Sequence, residues 1–585
     1  MFFVYAKLTI LNRFLYGEPS VKPFQLREIM EKCIREILDR ALEKLNIPIP
    51  PEYTVEKPND PAHGDLATNV AFLLARTLKR KPAEIAGEIV EALELDSPYL
   101  SKVTAAPNGF INFLVSRGWK IDQLARIQTE GERYGLSDRL AGRRIMVEFV
   151  SSNPTGPLTI GHGRQAVLGD CVSNLLEAMG AEITREYYYN DAGNQMNILG
   201  RSLRARYTRL FDPDFPFPEN GYQGDYLVKI AEEFASEHGE RYRPKPGDIK
   251  PDEESLKFFR EYAAEYIRRM IDEDLKRFQI NFDAWSLESA LYHEGKIERL
   301  LRFLEERGLS YHTDGAVWLA TSRFGDTEDR VIVKKTGEPT YFLPDIAYHI
   351  DKHERGFDEV INIHGSDHHG YVPRMLAAML ALGYHEGWLR YVIHQMVSFK
   401  QKDKQTRMST RAGQFIPLAE LCAEVGVDVA RYFFVMRRGD SHLVFDLDLA
   451  KEQSDENPVY YCQYVHARIC SLTPTAVQAG IWDGDRRRWR DHQPQKLSEP
   501  REIDLIHHLI EYSQVVEDAA LKLEPHRIPY YLEELARRFH AWYHHHRIVT
   551  EDKSLSLDRL YLADCTRLVM ANGLGLLGIT APEKM

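Results

Sequence analysis

One stretch, residues 144–191, limits the fold of this chain more than any other part of the sequence. It begins with the apolar and β-branched run RIMVEFVSS, continues through the loop NPTGP into a long amphipathic helix that ends at Gly180, and closes with EITREYYYND. Two strands joined through a helix form a βαβ unit, in which the strands lie parallel in one sheet. Further strand-like runs follow at EVINIHGS and RYVIHQMVSF. We therefore predict an α/β fold built on a parallel sheet.

The segments on either side of this sheet have different patterns. The preceding segment is rich in amphipathic helix and ends in the strand-like PNGFINFLVS, which predicts a separate α+β domain. After about residue 450 the strand-like runs stop, and long amphipathic helices predict an all-α helical bundle. The predicted divisions are a leader of uncertain status at 1–24, an N-terminal domain at 25–140, the parallel-sheet domain at 141–450 with a helical insertion at about 205–290, and the C-terminal bundle at 451–585.

Composition excludes several classes of protein. The 75 lysine and arginine residues against 87 aspartate and glutamate residues give a net charge of −12, which excludes a histone-like polycation but permits a nucleic-acid partner bound by one basic face. The six cysteines are scattered without a CxxC pair, so a disulfide scaffold or a structural zinc site is not expected. No apolar run is long enough to span a membrane, and Lys7 and Arg13 interrupt the apolar start. We expect a cytoplasmic protein without a membrane partner.

The loop after the first strand carries the first candidate site, TIGHGR. Ligands of open parallel sheets bind beyond the carboxyl ends of the strands, and the unpaired N–H groups of a helix that starts there attract anions. Gly161 and Gly163 would let the backbone approach a ligand closely, and His162 could donate a hydrogen bond to a phosphate oxygen. Taken alone, the motif is better explained as a glycine-rich turn with a capping histidine.

A second candidate site follows the last strand-like run, in FKQKDKQTRMSTRAG. It places five cations within twelve residues, next to a Ser/Thr pair and a glycine, at Lys400, Lys402, Lys404, Arg407 and Arg411. A basic loop of this kind can close over a triphosphate and neutralise the charge that develops on a leaving pyrophosphate. The simpler interpretation of a charge run is a solvated surface loop.

Together and in this order, the two motifs resemble the HIGH and KMSKS signatures of class I aminoacyl-tRNA synthetases, here written TIGH and RMSTR. The segments REYYYNDAGNQM, YFLPDIAYH, HGSDHHGYVPRM and GLGLLGITAPEKM resemble the arginyl-tRNA synthetases in particular, and the resemblance covers nearly all of the chain after about residue 25. It implies a Rossmann-like catalytic domain that activates L-arginine with ATP to arginyl-adenylate and transfers the arginyl group to the 3′ end of tRNA(Arg). It also implies a monomer.

The resemblance implies a pocket for arginine. The positions that match the family's arginine-binding residues are Glu148, Asn153, Tyr341, Asp345 and His369. A planar guanidinium with five donors requires converging carboxylates, and the compact ammonium of lysine cannot satisfy the same geometry. The sequence therefore favours selection of arginine by the geometry of its hydrogen bonds.

The resemblance also implies where ATP binds and reacts. The implied ATP-binding residues are Gly161, His162, Gly163, Gly365, Asp367, His368 and Met408. The implied catalytic residues are His162, Thr159, Lys404, Arg407, Ser409 and Arg411. We expect Mg²⁺ to arrive bound to ATP, and we expect the histidines of HGSDHHG to line the site rather than to hold a transition metal.

Three positions depart from the family motifs. Thr159 stands in place of the first histidine of HIGH, Thr410 stands in place of the second lysine of KMSKS, and Arg407 replaces the first lysine. In the family, missing lysines accompany a requirement for bound tRNA before arginine is activated, and Lys402 or Lys404 could supply the missing charge. The same departures leave open a catalytically silent RNA-binding relative. A class I synthetase for another amino acid, with cysteine the nearest, is the remaining alternative, although no cluster of zinc-binding thiols supports it.

The flanking domains are expected to bind tRNA. The N-terminal domain resembles the family's domain for the tRNA elbow at the D-loop, and its candidate phosphate contacts are Lys79, Arg80 and Lys81. The bundle resembles the anticodon-binding domain, where aromatic side chains stack on unpaired bases. Its candidate contacts are Tyr460, Tyr464, Arg468, Tyr531, Trp542 and Tyr543, although aromatic residues of helices are more often part of a core.

Overall fold

The computed structural model describes residues 24–50, 52–58, 60, 63–94, 99–245, 247–249, 251–402, 404–406 and 416–585. The predicted leader lies outside the described residues, apart from residue 24. The predicted architecture is confirmed, because an α+β N-terminal domain, a parallel-sheet domain and an all-α bundle follow one another along the chain.

The N-terminal domain packs helices on an antiparallel four-stranded sheet. Its helices are α1 (Phe24–Lys44), α2 (Val70–Leu78), α3 (Pro82–Ala92) and α4 (Arg117–Glu130). Its strands are β1 (Val55–Glu56), β2 (Leu66–Thr68), β3 (Leu100–Ala105) and β4 (Ile111–Val115), in the order β1-β2-β4-β3. Ile34 and Leu38 lie one turn apart on α1 and are fully buried in the core of this domain.

The central domain begins with β5 (Arg144–Glu148), α5 (Ile160–Ala178), β6 (Glu182–Tyr189), α6 (Asn194–Arg209), α7 (Tyr226–His238), α8 (Glu253–Arg277), β7 (Ala284–Leu287), α9 (Glu288–His293) and α10 (Lys296–Glu306). It continues with β8 (Ser310–Thr313), β9 (Ala316–Leu319), β10 (Arg330–Val333), α11 (Phe342–Glu354), β11 (Glu359–Gly365), α12 (Val372–Ala381) and β12 (Leu389–His394). It ends with β13 (Val397–Gln401), β14 (Lys404–Thr406), α13 (Leu418–Val425), α14 (Val427–Val435), β15 (Leu443–Asp446) and α15 (Leu447–Lys451).

Five of these strands form a parallel sheet in the order β12-β11-β5-β6-β7. The chain builds the sheet outward from β5 to β7, and then returns to the other side of β5 with β11 and β12. The strand order therefore reverses between β5 and β11. In Rossmann-like sheets such a reversal opens a crevice at the carboxyl ends of the two strands, where ligands bind.

The predicted helical insertion at about 205–290 begins earlier and ends in a strand. Its helices α6, α7 and α8 start at Asn194, and its last residues form β7, the edge strand of the parallel sheet. Trp285 of β7 pairs in register with Tyr187 of β6, and their ring centroids lie 4.3 Å apart. The helical prediction was wrong here because β7 has four residues, none of them fully buried, and so lacks an apolar run.

The C-terminal bundle consists of α16 (Pro458–Gln478), α17 (Pro500–Lys522), α18 (Arg527–His545) and α19 (Lys553–Leu576). Its apolar core is continuous with that of the parallel-sheet domain. Within the described part of the chain, no helix is both long enough and apolar enough to cross a membrane.

A buried arginine joins the bundle to the central domain. Arg431 of α14 is fully buried, and its guanidinium forms an ion pair with Asp170 of α5. It also donates hydrogen bonds to the carbonyl oxygens of Leu577, at 2.9 Å, and of Phe278, at 3.1 Å. At Gly578, whose φ is +65°, a Cβ would lie 2.2 Å from the same guanidinium, so only glycine fits.

We expect Arg431→Leu to lower the free energy of unfolding by about 3 kcal/mol, because Asp170 and two carbonyl groups lose a buried partner. The shift of the midpoint in urea denaturation measures this loss. The matched control is Arg487→Leu, which removes an ion pair with Asp485 from a side chain that is 90% exposed, and we expect it to leave the midpoint unchanged. Equal shifts for both variants would contradict the prediction.

Candidate active site

The crevice at the strand reversal gathers acidic side chains that are distant in sequence. Glu148 is the last residue of β5, Asp345 lies in the first turn of α11, and Glu288 begins α9 directly after β7. Burial raises the pKa of both Asp345 and Glu288; the charge of Glu148 raises the pKa of Asp345 further, and the charge of Asp345 raises that of Glu288, so Asp345 interacts with both of the other carboxyl groups.

Glu148 is 5% exposed and has a partner for each carboxylate oxygen. Oε2 accepts a hydrogen bond from Lys352 Nζ at 2.5 Å, and Oε1 accepts one from Ser151 Oγ at 2.9 Å. Burial opposes ionisation of this carboxyl group, but the charge and hydrogen bond of Lys352, together with the nearby rings of His364 and His349, outweigh it and lower the pKa of Glu148 to about 2. Glu148 is therefore a permanent anion.

A chain of hydrogen bonds leads from Lys352 through β11 back to Asp345, which lies about two turns earlier on the same helix, α11. Lys352 Nζ donates to Asn362 Oδ1 at 3.2 Å, and Asn362 Nδ2 donates to His349 Nε2 at 3.0 Å. His349 Nδ1 donates to the carbonyl oxygen of Asp345 at 2.7 Å. Burial lowers the pKa of His349 to about 3, so its ring is neutral and can accept at Nε2. This network connects β5, β11 and α11 beneath the crevice.

Asp345 and Glu288 are held differently from Glu148, because neither forms an ion pair with another described residue. Asp345 accepts a hydrogen bond from the hydroxyl of Tyr371. Burial raises the pKa of Asp345 to about 7, and burial together with Asp345 raises the pKa of Glu288 to about 7. Both carboxyl groups can therefore gain a negative charge when a cation binds beside them.

The backbone turns sharply just after β5. Val150 and Ser151 have φ angles of 66° and 39°, a region that residues other than glycine rarely adopt. This turn brings Ser151 Oγ to Glu148, and the same oxygen accepts a hydrogen bond from the backbone N–H of Tyr188 at 3.1 Å. Each such conformation costs on the order of 1–3 kcal/mol, and strain of this kind is concentrated at functional sites.

The residues predicted to bind arginine divide into two groups. Glu148 and Asp345 are brought together inside the crevice, whereas Asn153, Tyr341 and His369 are exposed. Tyr341 is 70% exposed at the start of α11, one turn before Asp345. Among the histidines of the segment HGSDHHG, His364 is the one that interacts with Glu148. It lies near the end of β11.

The sequence interpretation missed Glu288 and Lys352. Glu288 had no motif around it, and its signal, a position directly after a strand of the parallel sheet, depended on β7, which was not predicted. Lys352 lies in the last turn of α11, ten residues after Phe342, and a lysine near the end of a helix is typical of a solvated surface. Nothing in its local sequence indicates that it is fully buried.

The first motif forms the start of α5. The backbone N–H of Thr159 donates to Nδ1 of His162 at 3.1 Å, so the proton of the imidazole is at Nε2. Burial lowers the pKa of His162 to about 4, which makes the ring a neutral donor at neutral pH. Thr159 Oγ1 lies 3.3 Å from the same Nδ1, so Thr159 orients His162.

The two glycines of this motif have different surroundings. A Cβ at Gly161 would meet only Thr159 Oγ1, at 3.6 Å, which leaves room for a ligand. A Cβ at Gly163 would lie 2.6 Å from Leu418 Cδ1 and 3.0 Å from the ring of Phe434. The prediction that Gly163 admits a ligand was wrong, because this glycine is buried and allows α5 to pack against α13 and α14.

The other residues predicted to bind ATP lie at the end of β11. Gly365 is its last residue, and a Cβ there would lie 2.6 Å from Asp367 Oδ1. Asp367 and His368 follow in a short 3₁₀ helix, with side chains 71% and 48% exposed. Both side chains are therefore accessible to solvent.

Most of the second motif lies outside the described residues, including Arg407, Met408, Ser409 and Arg411. The backbone of Lys404 begins β14, which pairs with β13. Lys400 of β13 forms an ion pair with Asp446 at 2.9 Å. The predicted roles of these cations stay predictions.

Two of the aromatic residues predicted to contact tRNA belong to the core of the bundle. Tyr531 is 5% exposed and Trp542 is fully buried. Neither ring can present a face to a nucleotide, so this part of the prediction was wrong. On an amphipathic helix, an aromatic residue can lie in the middle of the apolar stripe, where a neighbouring helix covers it, or at the border of the stripe, where it stays partly exposed. The sequence alone did not show which of these positions each ring takes.

The remaining candidates of the bundle share one face of α16 and α18. The rings of Tyr460 and Tyr464 are nearly parallel, with centroids 6.2 Å apart, and the ring of His540 lies 5.9 Å from Tyr464. The guanidinium of Arg468 lies over the ring of Tyr543 at 5.1 Å. The structure thus provides a partly exposed aromatic face, of which His540 is a member that the sequence interpretation missed.

The basic residues predicted in the N-terminal domain are exposed. Arg80 forms an ion pair with Glu88, in which one hydrogen bond measures 2.9 Å, whereas Lys79 and Lys81 lie on either side of it. Beside this region, Phe72 and Phe110 are each 38% exposed and their rings lie 4.9 Å apart. Phe110 also lines a cleft with Asn108 and Asn112. No additional sequence signal marked this cleft beyond the segment PNGFINF.

Comparison with known families identifies each part of the chain. The family model described as the arginyl tRNA synthetase N terminal domain matches residues 32–115. The model of the class I tRNA synthetase (R) catalytic domain matches residues 123–438, and that of the DALR anticodon binding domain matches residues 462–585. The chain belongs to the arginyl-tRNA synthetase family. It is an enzyme of the class I aminoacyl-tRNA synthetases, a family that uses ATP.

Individual relatives agree with this assignment. The arginine–tRNA ligase of Desulfotalea psychrophila is 44% identical over 561 residues, which cover 96% of this chain and 99% of the relative. That of Syntrophotalea carbinolica is 45% identical and is covered completely. The solved Thermus thermophilus arginyl-tRNA synthetase, 21% identical with a TM-score of 0.69 over 95% of this chain and 100% of its own, supports the fold. The alternative of a cysteinyl synthetase was wrong.

We expect His162→Ala to lower kcat about 10²–10³-fold, because one donor to the transition state is lost while Thr159 keeps the helix start. Steady-state aminoacylation measures this effect. His385→Ala, which changes an exposed histidine outside the crevice, is the control and should keep the wild-type rate. An unchanged rate for His162→Ala would remove this residue from the mechanism.

Proposed function

We propose that this protein activates L-arginine with Mg²⁺-bound ATP to arginyl-adenylate and transfers the arginyl group to the 3′ end of tRNA(Arg), as a cytoplasmic monomer. The observation that carries the proposal is the group of three carboxyl side chains, Glu148, Asp345 and Glu288, at the strand reversal that also positions His162. Family membership supports the reaction, and this geometry supports the amino acid.

The acidic crevice suits the guanidinium of arginine. Its five donors need several acceptors in fixed directions, and charge-assisted hydrogen bonds contribute about 1.5–3 kcal/mol each. Asp345 and Glu288 titrate near neutral pH. A cationic ligand can therefore bind to two newly formed carboxylates, whereas a neutral ligand cannot. Asn153, Tyr341 and His369 are proposed to contact the ligand from the exposed rim.

The activation step joins the two halves of the crevice. The carboxylate of arginine attacks the α-phosphorus in line, and the bond to pyrophosphate breaks. His162 is proposed to donate from Nε2 to a phosphate oxygen as charge develops, helped by the N–H groups at the start of α5. Gly161, Gly365, Asp367 and His368 are proposed to hold the nucleotide, and Mg²⁺ to enter with ATP as part of the substrate.

The second motif is proposed to act on the leaving group. Lys404, Arg407 and Arg411 would stabilise the pyrophosphate, with Met408 and Ser409 between them. Because threonine and arginine replace the family's lysines there, we propose that activation requires bound tRNA. A ribose hydroxyl at the 3′ end then attacks the adenylate carbonyl, and AMP leaves.

Two surfaces are proposed to hold tRNA. The aromatic face of Tyr460, Tyr464, Arg468, Tyr543 and His540 suits unstacked anticodon bases, because base–aromatic stacking contributes about 1–3 kcal/mol per base. The cleft beside Phe110 suits an unpaired base of the D-loop, and Lys79, Arg80 and Lys81 suit its phosphates. Both are supported by exposure and ring geometry.

Arginine-dependent exchange of pyrophosphate into ATP tests the proposal. We expect exchange with arginine and tRNA(Arg) together, and little exchange without tRNA. Exchange at full rate without tRNA would contradict the tRNA requirement. No exchange under either condition would favour a silent RNA-binding relative, and exchange with a different amino acid would overturn the choice of arginine.

The KM for arginine should fall about tenfold between pH 6 and pH 8 for each proton that binding releases. Asp345 and Glu288 carry protons below pH 7, and the guanidinium requires both as carboxylates, so affinity rises as pH rises through 7. Aminoacylation at several pH values measures this, with the KM for ATP as the control. Asp345→Asn should weaken binding and flatten the dependence, and a KM independent of pH would contradict the prediction.

A further inference from the structure

We infer that Lys352 is a positioning residue, which sets both the orientation and the net charge of the arginine pocket through Glu148. The inference rests on the proposed function, because it concerns the pocket that we assign to arginine. It concerns a residue that lies outside the family motifs and makes no direct contact with a ligand.

The surroundings of Lys352 leave no donor for a ligand. Its side chain is fully buried, with Nζ 2.5 Å from Glu148 Oε2 and 3.2 Å from Asn362 Oδ1. The same nitrogen lies 4.2 Å from the ring centroid of Tyr348, where it faces the π electrons. An ammonium has three hydrogens, and these three partners account for them. Lys352 therefore acts through Glu148.

The orientation of Glu148 depends on this contact. Ser151 holds Oε1 from one side and Lys352 holds Oε2 from the other, so the plane of the carboxylate is fixed. Each oxygen keeps a second lone pair, which can accept from a ligand. Without Lys352, a buried carboxyl group of this kind becomes protonated and rotates more freely.

Lys352 also reduces the negative charge of the three carboxyl groups towards the charge that the ligand can neutralise. Glu148, Asp345 and Glu288 carry three negative charges when all are ionised, and Lys352 reduces the sum to −2. The guanidinium and ammonium groups of arginine together carry +2, while its carboxylate is directed at ATP. The neighbouring Glu186 is paired with Arg355, and burial keeps His349 and His364 neutral, so these groups leave the sum unchanged. Asp191, however, which accepts two hydrogen bonds from Ser289, adds a negative charge near Glu288.

A purely structural ion pair predicts a different outcome from a positioning role. Loss of a structural pair lowers stability and affects every substrate alike. Loss of a positioning residue raises the KM for arginine and leaves the KM for ATP unchanged. The two roles can be separated with Lys352→Met, measured by tRNA-dependent aminoacylation at several concentrations of each substrate.

We expect Lys352→Met to raise the KM for arginine about 30-fold, the scale of one charge-assisted hydrogen bond, with the KM for ATP changed less than about twofold. Lys296→Met is the matched control, because Lys296 also forms an ion pair with α11, at Asp351, with a distance of 2.7 Å and 19% exposure. It should leave both KM values within about twofold of wild type.

The double variant Glu148→Gln/Lys352→Met completes the test and leaves no unpaired charge that would prevent folding. If Lys352 acts through Glu148, adding Lys352→Met to Glu148→Gln should change the KM for arginine by less than about threefold. Independent effects that multiply, or equal changes in both substrates' KM values for Lys352→Met, would overturn the inference. A wild-type protein without arginine-dependent exchange in the presence of tRNA would instead overturn the proposed function.

Discussion

Arg431 carries a charge that water does not reach, and its stability requires three distant parts of the chain to stay together. Asp170 lies in α5, Phe278 lies at the end of α8, and Leu577 follows α19. Because a buried guanidinium needs all of its hydrogen-bond partners, moving the bundle away from α5 would cost Arg431 its hydrogen bond to the carbonyl oxygen of Leu577. The first turn of the same helix carries His162. Helix α5 therefore carries the candidate catalytic histidine at its start and contacts the anticodon-binding domain through Arg431.

The crevice buries carboxyl groups in two different states. Glu148 is ionised at all relevant pH values because Lys352 is beside it, whereas the pKa values of Asp345 and Glu288 are raised to about 7 because burial dominates and neither forms an ion pair with a described residue. The ion pair with Lys352 fixes the direction of the Glu148 carboxylate, whereas Asp345 and Glu288 can become negatively charged when a cationic ligand binds. We propose that such a pocket discriminates by charge before it discriminates by shape, since a neutral amino acid would meet two protonated acids.

The sequence allowed the architecture to be predicted, and it indicated two acidic residues that the structure brings together at the crevice. The unit of β5, α5 and β6 follows a strand–loop–helix–strand order in the sequence, so its existence and the position of His162 near the start of the helix could be inferred. Glu148 and Asp345 followed from matching the family motif. Glu288 could not be inferred, because β7 is short and half-buried and its side chains do not alternate. Tyr531 and Trp542 were misplaced, because spacing along a helix does not show which neighbour covers a given ring.

Helices α6, α7 and α8 separate β6 from β7 by more than ninety residues of sequence, from Tyr189 to Ala284, although the two strands are adjacent in the sheet. The last of these helices leads into β7, and Glu288 follows directly after that strand. The two ends of this helical insertion therefore lie on adjacent strands, β6 and β7. Its outer loops can change in length, but a change at its end would displace Glu288. The insertion that looks like an appendage in the sequence therefore sets the position of Glu288 in the proposed arginine pocket.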